Sequence, residues 1–131
     1  MYIFKFLLVS GIFLNSAFAS DDMLQKMHKM EIGLNKIQKG FLYNQIATIK
    51  DGVKDIQEAN KVFHNQKETE KYLPKNKMHL SNIAFYSAKS MDMALESLML
   101  YTEQNQMSKS HQAYSKIILS CGSCHSVVRG W

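Results

Sequence analysis

Apolar residues recur at helical spacing along most of this chain, and that periodicity restricts its fold more than any other feature. Between Asp22 and Phe41 successive apolar positions are separated by steps of 4, 3, 4, 3 and 4, which place them on one face of an α-helix. The stripe consists of Met23, Met27, Met30, Leu34, Ile37 and Phe41. No stretch of useful length alternates with the period of two that a half-buried strand shows. The pattern therefore predicts an all-α domain.

Three further stretches carry the same spacing, at about 42–63, 81–103 and 109–129. A break near Gly40, a polar loop over 65–77 that holds Pro74, and a polar gap over 104–108 separate the four helices. The 131 residues include only six Gly and one Pro, too few turn residues for a β-rich domain. Four amphipathic helices of about 20 residues with short connections predict an antiparallel up-down-up-down four-helix bundle.

The N-terminus has the three parts of a secretory signal. Lys5 supplies a positive charge, residues 6–14 are apolar, and Ala17-Phe18-Ala19 is an A-x-A cleavage site. An uncleaved membrane anchor is the alternative, but the run is shorter than the roughly 20 residues that a spanning helix needs. We therefore expect a cleaved signal peptide over 1–19 and one four-helix-bundle domain over 20–131, periplasmic and without stable membrane insertion.

The two cysteines of the chain lie three residues apart, in the sequence Cys121-Gly-Ser-Cys124-His125. C-x-x-C-H is the attachment signature of haem c. On a helix, positions i, i+3 and i+4 share one face, so two thiols can reach the two vinyl groups of one haem while the adjacent imidazole reaches the iron. The motif predicts one covalent haem c, attached through Cys121 and Cys124, with His125 as an iron ligand.

Three other interpretations of the cysteine pair remain open at this stage. A thioredoxin-like redox pair is found at a helix start after a strand, whereas this pair lies near the end of the last predicted helix. A structural zinc site needs four ligands, and the motif supplies three, although another His could serve as the fourth. A simple disulfide is the third alternative in an oxidising compartment.

A four-helix chain with C-x-x-C-H on its last helix resembles the class II cytochromes c, the cytochrome c-prime family. After the haem His the family has two variable residues, an apolar or aromatic residue and a basic one. The segment His125-Ser-Val-Val128-Arg129 fits that pattern. The resemblance implies that Arg129 lies near the proximal side of the haem, where its charge stabilises reduced iron. A solvated cation at the C-terminal end of the helix is the alternative role.

The family has two branches, which differ in the sixth iron ligand. In one, a Met near the start of the first helix binds the iron and gives a low-spin electron carrier; in the other, the iron is five-coordinate and binds small gases. Met27 is the preferred ligand here, Met30 the alternative and Met23 third. A lysine, Lys26, lies one turn before Met30, where family members often carry an Arg.

An up-down bundle places the haem beside the start of the first helix, the end of the second and the start of the third. Phe63, Ile83, Tyr86 and Phe85 lie at that end and are expected to surround the haem. His64 or His79 offers an alternative of bis-His ligation. Met91, Met93 and Met99 are further away and are expected to be core or surface residues, and His28 is expected to face the flank towards Glu31.

The sequence thus predicts an exported monohaem c-type cytochrome that carries single electrons and is not an enzyme. The first alternative is a five-coordinate cytochrome c-prime that binds NO or CO, with a gas-detoxifying activity. The second is a haem-free helical interaction protein with a redox C-x-x-C.

The net charge and its distribution bear on partners. The full chain has a net charge of +5, and removal of the signal peptide with Lys5 leaves +4, spread along the chain. That charge fits docking on acidic redox partner proteins rather than on nucleic acid. Family members are often homodimers through their first two helices, where Leu42 and Tyr43 or Ile49 could serve.

Overall fold

All regular secondary structure in the described part of the chain is helical. The computed structural model describes the backbone of residues 17–129 and the side chains of residues 21–129. The α-helices are α1 (Ala17–Leu42), α2 (Ile46–Asn60), α3 (Gln66–Tyr72), α4 (Ser81–Glu103) and α5 (Met107–Val128). Two 3₁₀ segments, Lys61–His64 and Lys75–Leu80, complete the described elements. The prediction of an all-α domain is confirmed, with five α-helices in place of the four expected.

The first reversal of the chain lies later than the sequence predicts. Helix α1 continues through Gly40 to Leu42, and the chain turns through Asn44, whose φ of 53° is left-handed. Gly40 is buried in the helix because α2 packs against it; a Cβ there would lie 2.9 Å from the Gln45 carbonyl oxygen. The predicted break near Gly40 thus occurs three residues later, at Tyr43, and Gly40 itself allows a close approach of two helices rather than ending one.

The segment predicted as a loop over 65–77 contains a helix of its own. Asn65 is the N-cap of α3, and its Oδ1 accepts hydrogen bonds from the backbone N–H groups of Lys67 and Glu68, at 3.0 and 3.3 Å. This cap stabilises a short polar helix that has no long apolar stripe to reveal it. Pro74 follows two residues after α3 ends, as expected for a residue that cannot continue a helix.

The helices pack as two hairpins. Helix α1 packs along α2, α4 packs along α5, and α2 also contacts α4. The apolar core between them includes Ile37, Ile56, Leu95 and Ile117, all fully buried. Ile49 also belongs to this core, with 1% of its surface exposed, so the prediction that it serves a dimer surface is wrong. Leu42 and Tyr43 are exposed.

Side chains join α1 to α5 across a wider gap. The Phe41 ring lies edge-on to His111, with 4.4 Å between ring centroids. The Tyr114 hydroxyl donates a hydrogen bond of 3.4 Å to the Leu34 carbonyl oxygen. These contacts lie towards the C-terminal half of α1, and the space between the two helices widens beyond them.

The segment between α2 and α4 contacts both the start of α1 and the end of α5. Tyr72 donates a hydrogen bond of 2.9 Å to Asp22 near the start of α1. The ammonium of Lys77 donates one of 2.8 Å to the carbonyl oxygen of Val127 near the end of α5. The beginning of α1 and the end of α5 therefore lie at the same end of the molecule.

The signal-peptide prediction falls almost wholly outside the described residues. Only the backbone of 17–19, already helical, belongs to the described part. Among the helices that the structure describes, none combines the length and hydropathy that crossing a membrane requires.

Candidate functional site

A cavity of about 650 Å³ opens between α1 and α5 and reaches the end of α2 and the first half of α4. Its size falls within the range of about 300–1,000 Å³ that small-molecule and cofactor sites occupy. Its walls are almost entirely apolar. The lining consists of Leu24, Gln25, Met27, His28, Met30, Glu31, Leu34, Asn60, Phe63, Ala84, Ser87, Ala88, Met91, Ser120, Cys121, Cys124 and His125.

The α5 wall of this cavity carries the C-x-x-C-H motif. Cys121, Cys124 and His125 lie on the last turns of α5, at i, i+3 and i+4, and all three side chains are partly buried. The helical register therefore brings the three predicted site residues together as the sequence implies. Both cysteines are free thiols. Burial raises the pKa of each, so the thiols are protonated at neutral pH in the protein without a cofactor.

His125 is held as a neutral imidazole. Burial lowers its pKa, and the positive charge of Arg129 lowers it further. The neutral ring is the form that binds metals. Arg129 directly follows α5, and its backbone N–H donates a hydrogen bond of 2.8 Å to the His125 carbonyl oxygen. Arg129 itself is exposed and does not line the cavity.

The α1 wall carries two of the three candidate methionines. Met30 is buried, with 6% of its surface exposed, and Met27 is partly buried. Both line the cavity, whereas Met23 packs against the core without lining it. The spacing of the α1 stripe thus places two thioethers in the cavity that also receives the α5 thiols and imidazole.

The solvent-facing rim of the cavity follows the outer side of α1. Leu24, Gln25, His28 and Glu31 line it and are exposed. The His28 Nδ1 lies 3.5 Å from the Glu31 carboxylate, so His28 faces Glu31 as expected. The cavity is therefore open to solvent on this side.

The inner end of the cavity is formed by the end of α2 and by α4. Phe63 is buried and lines the cavity, in agreement with its predicted place. Ile83 and Tyr86 require a correction, because both line a separate groove between α4 and α5, and Tyr86 is 67% exposed. The helical register turns these two side chains away from the cavity, and Ala84 and Ala88 line it instead. Phe85 is partly buried and stacks edge-on against Tyr86.

Sequence reasoning missed three residues of this lining. Asn60 lies at the predicted haem end of the second helix, but the sequence predicts no role for it or for Ser120, and Met91 is expected to lie further away. All three line the cavity. Met91 is buried, and it belongs to the core as predicted. The one sequence signal for any of these three lining residues is the polar side chain of Asn60 within an otherwise apolar stripe.

The other histidines at this end lie outside the cavity lining. His64 Nε2 is 2.6 Å from the Asp92 carboxylate, and His79 is exposed. Within residues 21–129, no three His, Cys, Asp or Glu side chains are grouped so as to hold a metal ion by themselves.

Comparisons of the chain with protein-family models, with curated proteins and with solved structures found no match.

Proposed function

We propose that the protein is an exported monohaem c-type cytochrome that carries single electrons. The observation that carries this proposal is the cavity of about 650 Å³ that faces Cys121, Cys124 and His125. A haem is a large, flat and mostly apolar group, and the cavity offers apolar walls of cofactor size with one open side. The residues present therefore fit haem c in number, type and placement.

Each residue of the motif would have a defined role. The thiols of Cys121 and Cys124 would add across two vinyl groups of one haem, forming two thioether bonds and leaving the porphyrin bound to α5. The neutral imidazole of His125 would bind the iron. The bound haem supplies a redox-active iron, and the chain around it sets polarity, hydrogen bonding and access.

The buried wall would tune this site by excluding water. Phe63, Ala84, Ala88 and Met91 keep polar groups away from one side of the cavity. A low-polarity surrounding favours the iron state of lower net charge, so it raises the reduction potential. Asn60 has the one side-chain amide at the inner end of the cavity. Hydrogen bonds to α4 hold this amide in place.

The thioethers of Met27 and Met30 are the candidates for the sixth ligand. Both lie on the α1 wall of the cavity that holds His125 on α5. A Met ligand would leave no open position on the iron, which favours electron transfer over gas binding. Met27 stays the preferred ligand, and Met30 the alternative.

We further propose that the two hairpins form an antiparallel up-down-up-down bundle with haem at one end, as in the class II cytochromes c. Support comes from the shared end of α1 and α5, which Asp22, Tyr72, Lys77 and Val127 define. Cleavage after Ala19 would export the protein to the periplasm. Because residues 1–19 carry one charge, that of Lys5, the exported chain would have a net charge of +4, which would favour acidic redox partners.

The test is the absorption spectrum of the exported protein, oxidised and reduced, together with a haem stain on a denaturing gel. We expect haem to remain with the chain after denaturation and a low-spin spectrum that does not change with carbon monoxide. Loss of the stain in the double variant Cys121→Ser/Cys124→Ser, which has no thiol left to bind haem, is the matched control. A wild-type chain that retains no haem would overturn the proposal. A high-spin spectrum that responds to carbon monoxide would replace the carrier by a gas-binding protein.

A further inference from the structure

Helix α4 carries a second heptad-spaced stripe, on the side that faces solvent. We call it the outer stripe; it consists of Tyr86, Ser90, Met93, Ser97 and Leu100. The steps between its members are 4, 3, 4 and 3, the spacing that lines up residues for packing against another helix. Its three large members are 67%, 62% and 51% exposed in chain order. The inner stripe of α4, from Ala84 to Thr102, already packs in the core.

The outer stripe borders a groove between α4 and α5. Leu119 of α5 lies on the groove wall and is exposed, and Ser120, Ser123 and Lys116 complete that side. Apart from Lys116, the groove lining is uncharged. Exposed large apolar residues spaced along a nearly uncharged groove of a helix pair are typical of a surface that another helix covers.

We propose that this face binds the same face of a second copy of the chain, with the two α4 helices antiparallel about a two-fold axis at Met93. A two-fold interface must be self-complementary, because each surface patch meets its own copy. The outer stripe has that property: large residues lie at Met93 and seven positions to either side, with a serine between each pair. Rotation about Met93 sets Tyr86 against Leu100 of the other copy.

The serines of the stripe provide the spaces that such packing needs. The hydroxyl of Ser97 donates a hydrogen bond of 2.8 Å to the Met93 carbonyl oxygen of its own helix. The Ser120 hydroxyl similarly donates one of 3.4 Å to Ser90. The Ser97 hydroxyl therefore keeps its hydrogen bond when another helix covers it.

Two flanking charges select the antiparallel orientation. Lys89 and Glu96 lie beside the stripe at equivalent heptad positions, and both are exposed. Neither forms an ion pair within the described part of the chain, and the Lys89 ammonium lies 5.6 Å from the Phe85 ring centre. Antiparallel helices bring these positions together across the axis, so each Lys89 meets the other copy's Glu96. Parallel helices would set Lys89 against Ala94 instead.

The test is the oligomeric state of the exported holoprotein, measured by sedimentation equilibrium. We expect a dimer whose dissociation constant rises at least tenfold in Met93→Glu. Lys89→Glu and Glu96→Lys should each weaken the dimer, and combining them should restore it, since the swapped charges pair again. Circular dichroism should be unchanged in all four variants, because every altered side chain is exposed.

The exposed turn between α1 and α2 gives the matched control. Leu42→Glu changes an equally exposed apolar residue on the other hairpin and should leave the dimer intact. The proposal is overturned if the wild-type chain is monomeric throughout the micromolar range. It is also overturned if Leu42→Glu dissociates the dimer while Met93→Glu does not. This outcome does not depend on the spectrum of the haem site, so the two proposals fail separately.

Discussion

Asn60 and Asp92 join the two helical hairpins at the inner end of the cavity. The buried amide of Asn60, at the end of α2, donates one hydrogen bond of 2.8 Å to Asp92 Oδ1 on α4. The same nitrogen donates another, of 2.9 Å, to the Ala88 carbonyl oxygen. The other carboxylate oxygen of Asp92, Oδ2, lies 2.6 Å from His64 Nε2. One amide thus fixes the spacing of α2 and α4 where both line the cavity.

Asn60→Ala should destabilise the fold by about 1–3 kcal/mol, because it removes the hydrogen-bond donor of the buried Ala88 carbonyl and of the partly buried Asp92 carboxylate. Urea unfolding followed by circular dichroism measures the change. His64→Gln is the matched control, since His64 is partly exposed and its contact with Asp92 should contribute no more than about 1 kcal/mol. Equal losses in the two variants would show that the amide has no special role.

Gly52→Ala should destabilise the protein by roughly 1–3 kcal/mol through overpacking between α1 and α2. A Cβ on Gly52 would lie 2.5 Å from the Gly33 carbonyl oxygen and 2.8 Å from Ile37 Cγ1. The backbone oxygen cannot yield without separating the helices. Thermal unfolding measures the loss.

Gly122→Ala is the control for this effect, because a Cβ there meets nothing within 4 Å. It should stabilise α5 by about 0.5–1 kcal/mol, through helix propensity alone. A Gly52→Ala protein as stable as wild type would show that α1 and α2 can separate without cost.

Thr102 and Ser110 form a buried hydroxyl pair where α4 reverses into α5. Their hydroxyl oxygens lie 2.9 Å apart, and Thr102 also donates a hydrogen bond of 2.7 Å to the Leu98 carbonyl oxygen. Thr102→Val or Ser110→Ala alone should cost about 1–3 kcal/mol, because each removes a partner from the remaining buried hydroxyl. The double variant should cost less than the sum of the two, which a double-mutant cycle on urea unfolding measures. Strict additivity would contradict the coupling.

The helices and the motif could be predicted from the sequence because both depend on local spacing. The α1 stripe and the C-x-x-C-H positions each fall on one helical face by register alone. That register placed Met27, Met30 and Cys121 towards a common space, and the structure finds all three lining one cavity. Phe63 is likewise predicted to lie at this end of the molecule, and it lines the same cavity.

The remaining features depend on tertiary contacts that periodicity does not encode. Gly40 looks like a helix end, but its missing side chain is used to bring α2 close. The short helix α3 has no apolar stripe, so its N-cap residue, Asn65, is the only sequence signal for it. Tyr86 lies at the correct end of α4, yet 67% of its surface is exposed. Because α4 has apolar residues on two sides, its sequence does not show which side faces the core. The packing of α4 against α5 decides this.

Arg129→Gln should lower the reduction potential of the haem-loaded protein. Arg129 follows α5 one turn after His125, and its charge already lowers the pKa of that imidazole. A nearby positive charge favours the reduced iron, but Arg129 is exposed and therefore screened. The shift should be below about 59 mV, less than a tenfold change for one electron. Redox titration of both proteins measures it, with Lys116→Gln as a control of equal charge change on α5. Equal shifts in the two would reduce the role of Arg129 to its contribution to net charge.

Replacing the cavity methionines one at a time should identify the sixth ligand. Leucine keeps most of the volume of Met27 or Met30, so each variant should lose less than about 1.5 kcal/mol of stability. Only the variant that lacks the ligand should lose the iron–sulfur charge-transfer band, turn high-spin and gain reactivity with carbon monoxide. We expect that variant to be Met27→Leu. Met23→Leu is the matched control, because Met23 lies on the same stripe of α1 but outside the cavity lining. Loss of the band in Met30→Leu alone would show that Met30, and not Met27, is the sixth ligand. An unchanged spectrum in both variants would eliminate Met ligation.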